Sequence, residues 1–170
     1  MVVDCGGGTV DLTVRKLLSD NRIGEMTMRS GGFCGSTYVD DNFLKLLGNR
    51  VGESAMNSLK EEDYGQINHI VQEFCSLVKM PFTGENSEFE TIEWDIERKC
   101  PALKKYVTGS IRDQLSDQDD WIVELDFEIV KSFFDPVIGK IIGLIEQQLS
   151  KCPNCSVMFL VGGFSESKYL

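Results

Sequence analysis

Three consecutive glycines, Gly6, Gly7 and Gly8, separate two short apolar segments near the start of the chain. Asp4 lies two positions before them, and Thr9 follows them directly. Glycines between two strands form a turn in which no Cβ prevents close approach to the backbone. Consecutive N–H groups in such a turn bind phosphate oxygens. The sequence therefore predicts a phosphate-binding hairpin with a carboxylate just before it.

The residues after the glycines alternate between apolar and polar side chains, which predicts a strand. The apolar side chains are those of Val10, Leu12 and Val14, and the polar ones are those of Asp11, Thr13 and Arg15. A dinucleotide-binding fingerprint needs a helix and a further glycine at this point. A P-loop needs Gly-Lys followed by Ser or Thr, whereas Gly139-Lys140 is followed by Ile141 in a helix-like run. The pattern favours a strand–glycine–strand hairpin over both.

The charge balance is strongly acidic and narrows the class of partners. The chain has 170 residues, with 17 basic and 27 acidic side chains and a net charge of −10. This charge argues against a surface for nucleic acid or for an anionic membrane. No apolar run approaches the ~20 residues of a membrane span. We therefore expect no nucleic-acid or membrane partner, and a core sufficient for one ordinary domain or two small subdomains.

Six cysteines are scattered along the chain, which is typical of a reduced, cytoplasmic protein and not of a disulfide framework. Cys152 and Cys155 form a CxxC pair, which is half of a common zinc site. A second close pair is missing, and the single histidine, His69, is distant in sequence. A loop before a buried strand is therefore favoured over zinc. His69 also has no motif around it that indicates a nucleophilic hydrolase.

Periodicity and turn signals predict an α/β order of elements with an insert. In chain order, the predicted elements are the hairpin at 1–15, a strand at 25–29 that ends at 30–32, a helix opened by Gly35-Ser36-Thr37, helices at 53–62 and 67–78, a strand at 88–96, a helix after Pro101, a strand through Val123, Leu125 and Phe127, a long helix to about Lys151 that breaks near Pro136, and a strand at 157–161. Thr37 and Asp40 have the spacing of a capping box. The pattern places an inserted subdomain at 52–126.

Three motifs in this order resemble the second lobe of the ATPase domain of the seventy-kilodalton heat-shock chaperones and their actin-like and sugar-kinase-like relatives. Residues 4–11, Asp-Cys-Gly-Gly-Gly-Thr-Val-Asp, resemble the family's second phosphate loop, Asp-x-Gly-Gly-Gly-Thr-x-Asp. Residues 160–163, Leu-Val-Gly-Gly, resemble its adenosine loop, and Ser30-Gly31-Gly32 is similar to its glycine pair before a helix. The residues at 35–40 and 161–167 are similar to a divergent branch of the family.

The resemblance implies a ribonuclease H-like, actin-like ATPase lobe of the α/β class. Residues 1–51 and 127–170 would form the ribonuclease H-like subdomain, and 52–126 an inserted α+β subdomain. The family's first lobe and its substrate-binding domain have no counterpart in these 170 residues. We therefore expect the chain alone to bind nucleotide with little or no hydrolysis. Hydrolysis, protein clients and co-chaperones would belong to a full-length cytoplasmic parent.

The resemblance also implies the ligands, ATP or ADP with Mg²⁺, and a role for each motif. The backbone of Gly6, Gly7, Gly8 and Thr9 would bind the phosphates, with the Thr9 hydroxyl beside the γ-phosphate. Asp4 would face Mg²⁺ through its waters and help to orient the attacking water. The remaining nucleotide contacts would be Gly31, Gly32, Lys79, Gly162 and Gly163.

Three residues depart from the family's pattern near the adenosine. Phe164 replaces a small polar residue, Glu166 replaces a basic residue, and Met80 replaces an arginine that follows the basic residue at Lys79. These departures weaken the expected contacts to adenosine. Two alternatives therefore stay open: a non-catalytic interaction module that keeps the fold, and a lobe of a sugar or acetate kinase from the same superfamily.

Overall fold

The computed structural model describes residues 1–19, 22–117 and 119–170, which form a mixed α/β fold of two compact units. The first unit comprises Met1–Val39 and Phe134–Leu170, and the second comprises Asp40–Phe133. The strands are β1 (Val2–Cys5), β2 (Val10–Thr13), β3 (Arg15–Leu17), β4 (Ile23–Glu25), β5 (Ser30–Gly32), β6 (Ile92–Asp95), β7 (Ile122–Leu125) and β8 (Phe159–Val161). The helices are α1 (Thr37–Val51), α2 (Glu53–Glu62), α3 (Tyr64–Phe74), α4 (Ile96–Lys99), α5 (Leu103–Tyr106), α6 (Gly109–Asp117) and α7 (Phe127–Lys151). The predicted α/β class is confirmed at this level.

A four-stranded sheet in the order β5-β2-β1-β8 forms the centre of the first unit. β1 pairs antiparallel with β2 and parallel with β8. The two-residue period of β1 and β2 determines the faces of this sheet, because alternate side chains point to opposite sides. Val3, Cys5, Val10 and Leu12 are completely buried, whereas the residues between them are partly or fully exposed.

The region between β2 and α1 differs from the predicted strand at 25–29. β3 and β4 form a separate two-stranded sheet, and residues 26–29 belong to no strand. β5 then pairs with β2, with Gly31 opposite Asp11. The predicted strand overlaps β4 only at Glu25 and stops where β5 begins, because such short segments flanked by glycine show no clear period.

The prediction was also wrong at the start and middle of the long helix. β7 ends at Leu125, and Phe127 begins α7 instead of continuing the strand. Pro136 lies inside α7 and does not break it. Pro136 is exposed, so water can replace the backbone bond that a proline cannot make. The strand predicted at 88–96 is limited to β6.

The second unit is built around stacked aromatic rings. The rings of Phe43 and Phe74 lie parallel with centroids 4.1 Å apart, and Trp94 and Phe133 meet the Phe43 ring edge-on. β6 and β7 form a two-stranded antiparallel sheet in this unit. α3 continues into a π-helical segment, Cys75–Lys79. In the described part of the chain, no helix has the length and apolarity of a membrane span.

Candidate functional site

The backbone carbonyls of the three glycines all accept hydrogen bonds from the residues that open α1. The donors are the N–H groups of Ser36, Thr37 and Gly35, which bond the carbonyls of Gly6, Gly7 and Gly8 at 3.1, 2.9 and 3.2 Å, respectively. The C=O and the following N–H of a trans peptide point in opposite directions. The N–H groups of Gly7, Gly8 and Thr9 therefore point away from α1.

These N–H groups are the part of the loop that is open to a ligand. Gly7, Gly8 and Thr9 are exposed, and none of their N–H groups has a hydrogen-bond acceptor among the described residues. The Gly6 N–H differs, because it donates to the carbonyl of Thr9 at 2.9 Å and closes the turn. In this conformation the Gly6 N–H is therefore bonded within the turn and not open to a ligand. Three successive outward N–H groups are suited to an oxyanion.

Gly35 makes the close contact between the loop and α1 possible. It is buried, and a Cβ at this position would collide with the Gly7 carbonyl group and lie 2.6 Å from the Gly6 oxygen. Sequence reasoning assigned the glycine pair before the helix to Gly31 and Gly32, which lie in β5, and did not include Gly35 among the site residues. The signal that could have identified Gly35 was its position two residues before Thr37.

Two carboxylates lie beside the loop on the exposed face of the sheet. Asp4 on β1 pairs directly with Asp11 on β2, which sequence reasoning did not include among the site residues. The Thr9 hydroxyl donates to the Asp11 carboxylate at 3.1 Å. Like charges directly opposite each other on neighbouring strands are unfavourable, so a cation between them would be stabilising.

The pair suits a particular kind of cation. Within the described ranges, no group of three or more His, Cys, Asp or Glu side chains could hold a metal ion. The two carboxylates alone fit Mg²⁺, which keeps several waters and binds through one or two carboxylates and the phosphates of a substrate. The donor set therefore matches a magnesium–phosphate complex better than a bare metal centre.

Two predicted nucleotide-binding glycines leave room for these carboxylates. A Cβ on Gly31 would lie 2.8 Å from Asp11 Oδ1 and 2.7 Å from the Val10 carbonyl oxygen. Gly162 has a φ of +87°, and a Cβ there would lie 2.5 Å from Asp4 Oδ1. The close approach of the two carboxylates therefore explains why neither position carries a side chain. A Cβ on Gly163 would meet no atom within 4 Å, and a Cβ on Gly32 would lie 3.3 Å from Leu144 Cδ1.

Lys79 belongs to the second unit, where it forms a buried ion pair. Its Nζ donates to the two carboxylate oxygens of Asp40 at 2.8 and 2.9 Å, and both residues are 7% exposed. Burial raises the pKa of Asp40, and the bond from Lys79 opposes that rise. The predicted capping box is wrong, because the Thr37 hydroxyl donates to the Gly7 carbonyl at 2.9 Å and the Asp40 carboxylate holds Lys79.

Other sequence signals are explained by packing. Phe164 lies in the 3₁₀ turn Gly163–Glu166 and is 4% exposed, so its ring is part of the buried core of the first unit. Glu166 is exposed. Cys152 and Cys155 are half-buried free thiols, and they belong to no metal-ligand cluster among the residues that the structure describes.

The sequence model of a protein family described as a domain of unknown function, DUF8340, matches residues 1–166. The chain belongs to the DUF8340 family. The DUF8340 chain is also similar to heat shock 70 kDa protein 12A of Homo sapiens and of Mus musculus, with 27% identity over 179 residues in each case. Its identity to heat shock 70 kDa protein 12B of Homo sapiens is 26% over 179 residues.

Each of these alignments covers 100% of the DUF8340 chain and 26% of the relative. The chain therefore spans about a quarter of the length of these relatives. The matches support a distant relationship to the 70 kDa heat-shock proteins.

Proposed function

We propose that this domain is the nucleotide-binding lobe of a chaperone-like ATPase with an actin-like fold, and that it binds the phosphates of ATP or ADP. The observation that carries the proposal is the set of outward N–H groups at Gly7, Gly8 and Thr9 beside two paired carboxylates. Fixed N–H dipoles stabilise phosphate charge at little reorganisation cost. The N–H groups favour an anion and the paired carboxylates favour a cation. A magnesium nucleotide supplies both.

The carboxylates would hold Mg²⁺ through its waters. Asp4 and Asp11 share one face of the sheet, and Gly162 and Gly31 leave space beside them. A bound Mg²⁺ would neutralise charge on the phosphate oxygens. Asp4 would also orient the attacking water. The Thr9 hydroxyl, which donates to Asp11, would lie beside the γ-phosphate and could accept a proton from the attacking water through its oxygen.

The remaining assignments belong to the same proposal. Gly31, Gly32, Lys79, Gly162 and Gly163 would be the remaining contacts to the nucleotide. Catalysis of phosphoryl transfer comes from positioning and charge stabilisation by many groups, and one lobe supplies a part of them. We therefore propose that hydrolysis, clients and co-chaperones belong to a longer cytoplasmic protein.

Isothermal titration of the 170-residue chain with ATP and Mg²⁺ tests this proposal. We expect binding by the wild type and loss of binding in Gly7→Val with Asp4→Ala. Gly139→Ala is the matched control, since a Cβ at Gly139 meets nothing within 4 Å. Circular dichroism establishes that each variant is folded.

The magnesium assignment has its own control. The wild type should bind ATP more weakly after EDTA removes Mg²⁺, and Asp4→Asn should show a smaller loss of affinity on the same treatment, because only Asp11 then remains to hold the metal. A folded wild type that binds neither ATP nor ADP would overturn the proposal for this chain and favour the interaction module.

A further inference from the structure

We infer that Thr37 is a positioning residue for the phosphate loop, an inference that rests on the proposed function. Thr37 donates twice to the Gly7 carbonyl oxygen, through its backbone N–H and through its hydroxyl, both at 2.9 Å. The other two glycine carbonyls accept one bond each from the start of α1. The Gly7–Gly8 peptide is therefore held more firmly than its neighbours.

The orientation of this peptide decides where the central N–H group of the site points. The Gly8 N–H belongs to the same planar peptide as the Gly7 carbonyl and points the opposite way. Glycine adopts positive and negative φ about equally well, so an unrestrained Gly7–Gly8 peptide could rotate. Rotation would turn the Gly8 N–H toward α1 and a carbonyl oxygen toward the phosphate. The two bonds from Thr37 oppose that rotation.

The Thr37 hydroxyl acts on the ligand through the loop. Its single proton is already donated to Gly7, and the N–H groups that open α1 are likewise bonded to the loop carbonyls. The partial positive charge at the start of a helix therefore polarises these peptides. Polarised peptides are stronger donors at their own N–H groups, so the phosphate would be bound more tightly.

The test compares Thr37→Val, which keeps the shape but removes the hydroxyl, with Thr37→Ser, which keeps the hydroxyl. Thr37 is exposed, so both variants should fold. Loss of one neutral hydrogen bond predicts about fivefold weaker binding of ADP with Mg²⁺ by Thr37→Val. Thr37→Ser should bind within about twofold of the wild type, since it restores that bond.

Amide NMR without nucleotide reports the orientation of the Gly7–Gly8 peptide separately from ADP affinity. We expect the Gly8 amide resonance to shift and its hydrogen exchange to change in Thr37→Val, while Thr37→Ser retains the wild-type values. Thr37→Ala is the second variant and should behave as Thr37→Val. Equal ADP affinity and an unchanged Gly8 amide in Thr37→Val would overturn the inference.

The two proposals fail in different ways. A wild type that binds no nucleotide overturns the proposed function, and the Gly8 amide then still decides whether Thr37 orients the peptide. A wild type that binds ADP with no difference among the Thr37 variants leaves the function intact and overturns the role of Thr37.

Discussion

The glycines of the first unit lack side chains for different physical reasons. Gly35 lies against the phosphate loop, Gly31 lies against Asp11, and Gly162 combines a positive φ with contact to Asp4. At each of the three positions, backbone or carboxylate atoms occupy the space that a Cβ would need. Each of these glycines therefore shapes the proposed site without contributing a donor to it.

Gly35→Ala should displace the loop and weaken nucleotide binding by more than tenfold, because the new Cβ overlaps the Gly7 carbonyl and the outward N–H groups lose their common orientation. Titration with ATP and Mg²⁺ measures this loss. Gly139→Ala lies in the middle of α7 with no atom near its Cβ. It should bind normally and be more stable by about 0.5–1 kcal/mol. Normal binding by Gly35→Ala would show that the loop adapts.

Cys5 should make the stability of the chain fall in alkaline solution. Burial, and then the nearby charge of Asp4, raises the pKa of the Cys5 thiol from 9.0 to about 11. The unfolded chain therefore releases this proton first, and stability present below pH 9 is lost as the pH rises toward 11. Urea unfolding at about pH 8 and about pH 10.5 should show a larger loss for the wild type than for Cys5→Ala. Equal losses would mean that Cys5 does not contribute.

At the scale of elements, the first turn of α1 supplies both the Thr37 bonds to the loop and the carboxylate of Asp40. The π-helical segment after α3 presents Lys79 to that carboxylate. The apolar period predicted one regular helix at 67–78. Extra residues per turn in a π segment leave such a pattern almost unchanged over five positions, so the sequence did not reveal it.

Removal of one member of this buried pair should be costly. Lys79→Met leaves the Asp40 carboxylate buried without its ammonium partner, at a cost of about 3–5 kcal/mol. The double variant Asp40→Leu with Lys79→Met should recover most of this stability. Urea unfolding of the wild type, the single variants Lys79→Met and Asp40→Leu, and the double variant measures both effects.

The stability contributed by the ion pair of Lys79 and Asp40 should depend on pH. Without Lys79, the pKa of Asp40 rises further, because burial is then unopposed. A raised folded pKa favours folding at low pH, so Lys79→Met should be less destabilised at about pH 5 than at about pH 8. A destabilisation that is independent of pH would contradict this account. ADP affinity that stays at the wild-type value in folded Lys79→Met would assign Lys79 to stability alone.

At the scale of the whole molecule, β8 is an edge strand with apolar side chains on both faces. Phe159, Leu160 and Val161 are 60%, 46% and 41% exposed, and β1 is the only strand paired with β8 among the described residues. Edge strands of this kind pair with other chains unless they carry charge. The net charge of −10 opposes association by repulsion, and salt weakens that repulsion.

We therefore expect self-association that increases with salt and that Phe159→Lys reduces. Sedimentation velocity across a concentration series at low and high salt measures it. Met28→Lys is the matched control, because Met28 is 85% exposed and lies outside the sheet while the charge change is the same. Equal effects of the two lysines would indicate general charge repulsion and not the β8 edge.

Local features were predictable from the sequence because they depend on neighbouring residues. The alternation at 10–15 indicated which side chains of β2 are buried, the glycine triplet indicated the turn, and the helical signals placed α1 and α2 at their observed starts. These patterns follow from the geometry of one strand or one helix. They also carried the resemblance to the heat-shock family that the distant relatives support.

Only the tertiary structure decided how distant residues combine. Asp11 joins Asp4 through strand pairing, Thr37 reaches Gly7 across 30 positions, and Lys79 reaches Asp40 across 39. The donors that satisfy the Gly6 N–H and the loop carbonyls could not be assigned from residue types, since any backbone group can serve. Which N–H groups stay open for a ligand is therefore a property of the folded chain.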